Sequence, residues 1–99
     1  MIIIRVIKSH RDIVVVCDSD LVGKKFDDGK FQLDIKENFY CGEEFSENEA
    51  IILMKKMQRE DATFNIVGKE SINAALKAGI ISKEGIKKIQ GIPFALVLL

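Results

Sequence analysis

Proline, histidine and cysteine are scarce in this chain, with one proline, one histidine and two cysteines in 99 residues. A single proline and the lack of any serine- or glycine-rich stretch leave no linker composition, so residues 1–99 are expected to form one domain. One histidine and two cysteines without C-x-x-C spacing are too few ligands for a zinc site. They also argue against a Cys–His nucleophile. Cys17 closes a predicted strand, while His10 sits in the loop at the opposite end of that hairpin. Two reduced thiols are the expectation for Cys17 and Cys41.

A net charge of either sign is also missing, since 15 Lys and Arg balance 15 Asp and Glu. Broad, phosphate-driven affinity for nucleic acid needs many clustered cations, which a neutral chain lacks; a local basic patch is still allowed. Near-zero charge favours association with other proteins. Long apolar runs are absent as well. The opening MIIIRVIKSH is broken by Arg5 and Lys8 and is too short for a signal-peptide core or a membrane span. A cytoplasmic protein with no membrane partner is expected.

Apolar residues make up 47% of the chain and charged residues 30%, a composition that folds. Residues 63–99 carry the architecture. An apolar run at 63–67 meets Gly68-Lys69, a helical pattern follows at 70–78, Gly79 ends it, and a second apolar run closes the chain at 94–99. That predicts strand, turn, helix and return strand; if the two strands are in one sheet and parallel, the crossover should be right-handed. Residues 2–7 and 13–17 are β-branched runs that predict a hairpin of central strands. Asp18-Ser19-Asp20 can cap one helical turn ending at Gly23, and Asp28-Gly29 marks a turn. Phe31, Leu33 and Ile35 alternate with polar residues as a half-buried strand does. Residues 36–44 read as a loop. Ser46-x-x-Glu49 is a capping box opening a helix to about residue 60. Residues 82–88 read as a polar segment with a turn capped by Ser82, and Pro93 as a strand start or edge. The expected fold is α+β: one small domain, a mixed, mostly antiparallel sheet with two main helices packed on it.

Three features can carry chemistry. Asn65-x-x-Gly68-Lys69, at a strand end before a helix, offers free N–H groups, a glycine and a lysine to a phosphate or carboxylate; it lacks P-loop spacing. Gly23-Lys24-Lys25 could form a basic rim with Lys30. Lys55, Lys56 and Arg59 could join Lys83, Lys87 and Lys88 in one patch if the first long helix and the 82–88 turn lie side by side. The acids Glu43, Glu44, Glu47 and Glu49 are accounted for by the helix start they precede. The aromatics do not match an RNA-recognition sheet, and Tyr40 is expected nearest the surface.

The chain resembles a small archaeal family of about this length, catalogued only as a domain of unknown function. The residues that carry the resemblance are Cys17-Asp18-x-x-Leu21-x-Gly23-Lys24, Phe39-Tyr40-x-Gly42, Asn65-x-x-Gly68 and Gly91-x-Pro93-x-Ala95. Members tend to carry a histidine where this chain has Phe94. The resemblance implies an archaeal cytoplasmic α+β protein and brings no activity, cofactor or catalytic residue.

No catalytic set, metal or cofactor is expected. The first expectation is a non-enzymatic binding or adaptor module in an RNA- or translation-related assembly, contacting RNA or a protein. Its candidate surface comprises Asp18, Gly23, Lys24, Lys25, Tyr40, Asn65, Gly68 and Lys69. Two alternatives stand beside it. One is a small anionic-ligand binder or enzyme using the Asn65–Lys69 turn. The other is a structural homo-oligomer, with a homodimer formed through the uncharged C-terminal strand.

Overall fold

The structure, a computed structural model, describes residues 1–98. Strands β1 (Ile2–Ile7) and β2 (Ile13–Asp18) form the expected antiparallel hairpin. After β2 come a 3-10 turn (Ser19–Leu21), β3 (Lys25–Asp27), β4 (Gln32–Asp34), α1 (Glu37–Tyr40) and β5 (Glu43–Phe45). Helix α2 (Glu47–Arg59) leads to β6 (Thr63–Val67), α3 (Lys69–Lys77), a second 3-10 turn (Lys83–Gly85), β7 (Lys87–Ile89) and β8 (Ile92–Val97). Six strands form one sheet in the order β5-β1-β2-β6-β8-β7, and β3 pairs β4 in a separate ribbon. The α+β class with two main helices on a mixed, mostly antiparallel sheet is as expected. Among the described residues no helix is long and apolar enough to cross a membrane.

The sheet separates two cores. On one face, Ile4, Val14, Val16, Phe64 and Ile66 pack against Met54 and Met57 of α2 and Ile72 and Ala75 of α3. On the other, Val15, Cys17 and Val67 are covered by Leu21, Ile35 and Tyr40, contributed by the first 3-10 turn, the end of the β3–β4 ribbon and α1. Strand β2 is buried on both faces, which is why its sequence is an unbroken apolar run. The second layer is thin, so it leaves large apolar groups in water, among them Phe31 and Leu96. Helix α2 starts at the predicted capping box: Ser46 Oγ accepts from the Glu49 N–H and Glu49 Oε1 from the Ser46 N–H.

Several local expectations are corrected. Residues 36–44 hold α1 and the start of β5, elements of four and three residues too short to leave a period in the sequence. The polar 82–88 segment holds the second 3-10 turn and the start of β7, an outer strand whose lysines face water. That extra strand also reverses the direction of the return, so β6 and β8 are antiparallel. The turn between β7 and β8 uses Gln90 and Gly91 at φ 50 and 77, the left-handed pair that a tight hairpin requires. The parallel pair is β2 with β6. Phe31 sits in the turn before β4, because the Asp28 N–H donates to the Phe31 carbonyl, and its ring is 67% exposed. Neither 3-10 turn has a side-chain cap from Asp18 or Ser82. The two basic groups are held apart: α2 packs on β1 and β5, while β7 lies at the opposite edge of the sheet.

Strand β8 lies between β6 and β7. Strand β7 reaches only Ile92 to Phe94, so among the described residues no strand lies on that side of residues 95–97. Leu96 and Leu98 are exposed there. The last residue of the uncharged tail, Leu99, lies outside the described residues.

Candidate binding surface

Strands β2 and β6 run parallel and end side by side, Cys17 opposite Val67. Beyond that point the chain leaves to opposite faces, from β2 into the 3-10 turn and from β6 into α3. Such a divergence opens a crevice at the carboxyl ends of parallel strands, the usual ligand position in open α/β sheets. Here the crevice is a hollow of about 200 Å³ lined by Asp18, Asp20, Leu21, Lys69 and Ile92.

Asp18 occupies its floor. The side chain is 5% exposed. Its Oδ1 accepts from the Ser71 N–H at 2.8 Å and the Ser71 hydroxyl at 2.7 Å, and its Oδ2 from the Glu70 N–H at 3.1 Å. A carboxylate from the neighbouring strand therefore meets the unpaired N–H groups and positive end of α3. Gly68 makes this approach possible. Its φ of 107 and ψ of 156 fall in a region open essentially to glycine, and an added Cβ would lie 2.5 and 2.6 Å from the Asp18 carboxylate oxygens. The Gly68 N–H donates to the Pro93 carbonyl at 2.8 Å. The Asp18, Gly68 and Pro93 positions thus form one joint.

The other candidates divide into two groups. Tyr40 is buried, contrary to expectation, because α1 is held down on the second face: Arg5 Nη1 donates to the Asn38 and Phe39 carbonyls that end it. The Tyr40 hydroxyl donates to Asn65 Oδ1 at 3.4 Å, and burial pushes its phenol above the usual range. Tyr40 is thus inside and Asn65 half-buried. Gly23 (φ 89) and Lys24 link the 3-10 turn to the ribbon: the Gly23 N–H donates to the Ile35 carbonyl, the Lys24 N–H to the Leu21 carbonyl, and the Ile35 N–H to the Lys24 carbonyl. The side chains of Lys24, Lys25 and Lys69 are exposed. Among the described residues none of them takes part in an ion pair. Lys69 and Leu21 line the same hollow, so Lys69 and Lys24 flank one end of the sheet.

Sequence reasoning missed Ser71, whose hydroxyl and N–H both serve Asp18; nothing in the spacing of residues 18 and 71 announces the pair. It also missed that Asp18, Asp20 and Glu70 each bring a carboxylate oxygen within 4.8 Å of the others. Both Asp18 oxygens are already engaged, and the Met1 amino group lies 3.6 Å from Glu70. Cys17 is a poor nucleophile: burial first, then the Asp18 and Asp20 carboxylates, push its thiol up to about 12. Among the described residues no buried side-chain nitrogen or oxygen lacks a hydrogen-bond partner.

Residues 7–99 match the model of a family described as a protein of unknown function (DUF424). A crystal structure of an uncharacterized conserved protein from Methanopyrus kandleri superposes with a TM-score of 0.88. The pair are 20% identical over 97% of this chain and 89% of the other, a likeness that establishes the fold alone. None of the curated proteins is similar enough to count as a relative. The family match spans nearly the whole chain, and the chain belongs to the DUF424 family.

Proposed function

For this member of DUF424 we propose a non-enzymatic binding module of an archaeal, cytoplasmic, RNA- or translation-related assembly. The contact surface is the lysine-bearing end of the sheet, Lys24, Lys25 and Lys69, together with the thinly covered second face. The observation that carries this assignment is the state of the crevice placed for chemistry. The Glu70 and Ser71 N–H groups at its helix start are taken by an internal carboxylate, and its volume of about 200 Å³ falls below the roughly 300 Å³ at which small-molecule pockets begin. What remains on that side is surface, with lysine ammonium groups outside any ion pair among the described residues. Such a surface suits a large partner better than a small anion. The archaeal source of the structural neighbour supports the cellular setting.

The test is an affinity pull-down of tagged protein from native archaeal lysate, with and without nuclease and at low and high salt. Recovery of RNA with its associated proteins, abolished by nuclease or salt treatment, is expected. One protein partner surviving both treatments would replace RNA with a protein as the contact. An empty pull-down would return weight to a small ligand at the Asn65–Lys69 turn.

A second reading has its own observation. Among the described residues the outer side of residues 95–97 has no paired strand, and Leu96 is 58% exposed. A second copy pairing there would bury it. A monomer in sedimentation at high concentration would dispose of the homodimer.

A further inference from the structure

Away from the crevice, a groove of about 440 Å³ runs between the β3–β4 turn and the outer strand β7. Its walls are Phe31 and Asp28 on the ribbon side and Lys87, Lys88, Ile89 and Phe94 on the sheet side. Phe31 is 67% exposed, the most exposed ring in the chain among the described residues. A phenyl group so placed contributes nothing to either core. The groove is held in shape: Gln90 Nε2 donates to the Asp27 carbonyl and ties the ribbon to the β7–β8 turn. The nearby acids are turned into the ribbon. Asp28 Oδ1 accepts from the Lys30 and Phe31 N–H groups, and the Asp27 oxygens accept from the Gly29 N–H and from Gln32 Nε2. Lys87 and Lys88 are exposed, and among the described residues neither is in an ion pair.

We infer that this groove binds single-stranded RNA, with a base stacked on Phe31 and a flanking phosphate held by Lys87, which shares the face of Phe94 on β7. The inference rests on the RNA reading above and adds a specific groove on the second face to the lysine-bearing end named there. Two kinds of complementarity select the occupant. An exposed ring offers a stacking platform that every base can use, and the Lys87 ammonium group suits a backbone carrying a charge at each nucleotide. Duplex RNA is excluded by the same geometry, because its bases are stacked on each other and cannot reach Phe31. The groove contains nothing placed to read base edges, so weak sequence preference follows.

The chain has no tryptophan, which makes Phe31→Trp a reporter as well as a variant. Titration with a single-stranded RNA of about eight nucleotides, a length within the usual site sizes, should quench its fluorescence and saturate. Matching duplex RNA should not quench it. In anisotropy titrations with labelled RNA, Phe31→Ala should weaken binding by about five-fold or more and leave its salt dependence unchanged. Phe31→Leu, which keeps the bulk and loses the stacking face, should weaken it similarly. Lys87→Ala should lower the log–log salt slope by about 0.7, the value for one phosphate no longer neutralised on a single strand. Lys55→Ala, on α2 and remote from β7, is the control and should change neither quantity.

Circular dichroism and thermal melts confirm that each variant is folded, which the exposure of the substituted side chains favours. If wild type binds RNA but Phe31→Ala and Lys87→Ala bind equally well, the groove is wrong and the RNA reading survives. A fall in slope for Lys55→Ala equal to that in Lys87→Ala has the same meaning. If wild type binds no RNA even at low salt, both fall.

Discussion

Replacing Gly68 with alanine probes the joint between Asp18 and α3, and the structure gives the size of the effect. An alanine at φ 107 and ψ 156 carries a backbone strain of about 1–3 kcal/mol. Its Cβ also lies within 2.6 Å of both Asp18 oxygens, an overpacking that adds about 1–3 kcal/mol. A total near 3 kcal/mol lowers the melting temperature of a domain this size by roughly 10 °C or more. Asp18→Ala should be harmful for a different reason. It leaves the Ser71 hydroxyl, the Ser71 N–H and the Glu70 N–H without their acceptor, at about 1–3 kcal/mol for each buried group left unsatisfied. The decisive variant is the pair. With Asp18 truncated, the Cβ at position 68 meets no carboxylate, so the overpacking vanishes while the backbone strain stays. Urea denaturation followed by circular dichroism should find the double variant about 1–3 kcal/mol less destabilised than the sum of the singles. Additivity within about 0.5 kcal/mol would refute the close approach as the reason for glycine at this position.

Other predictions are simpler. In the native protein a thiol reagent at neutral pH should modify exposed Cys41 quickly and buried Cys17 only on unfolding; two fast thiols would contradict the burial of Cys17. Stability should be lost in alkali: the Cys17 thiol rises from 9.0 to about 12 and the Tyr40 phenol also rises on folding. Both groups hold their protons more tightly in the folded state, so their contribution is full below pH 9.0 and falls as pH climbs toward about 12. Cys17→Ala should flatten that loss, and an unchanged profile would assign it elsewhere. Ser46→Ala removes one half of the capping box and should cost about 1 kcal/mol in a urea melt; no change would mean that α2 needs no cap.

The sequence spoke clearly where one rule operated over several residues. The β1–β2 hairpin was legible because its apolar runs are long, and the start of α2 because Ser46 and Glu49 cap each other locally. Gly68 was legible as a special backbone position, though the reason for it was not. A glycine that must admit a carboxylate from a strand fifty positions earlier leaves no mark in its own neighbourhood. The short elements α1, β3, β5 and β7 were missed because three or four residues cannot show a period. Tyr40 was misplaced for a related reason: Arg5 holds α1 on the sheet, and such a long-range hydrogen bond has no sequence spacing. The groove at Phe31 was hidden by the alternation of Phe31, Leu33 and Ile35, which reads as one strand although the turn claims its first residue.

The assignment as a binding module is tested most directly by measuring the RNA that copurifies with the tagged chain from native archaeal lysate. Wild type should be compared with a variant carrying Lys24→Ala and Lys69→Ala. RNA above background with wild type, and clearly less with the variant at equal protein recovery, is the predicted result. Equal RNA with both proteins, or none with either, would contradict the account of this end of the sheet as an RNA-contacting surface.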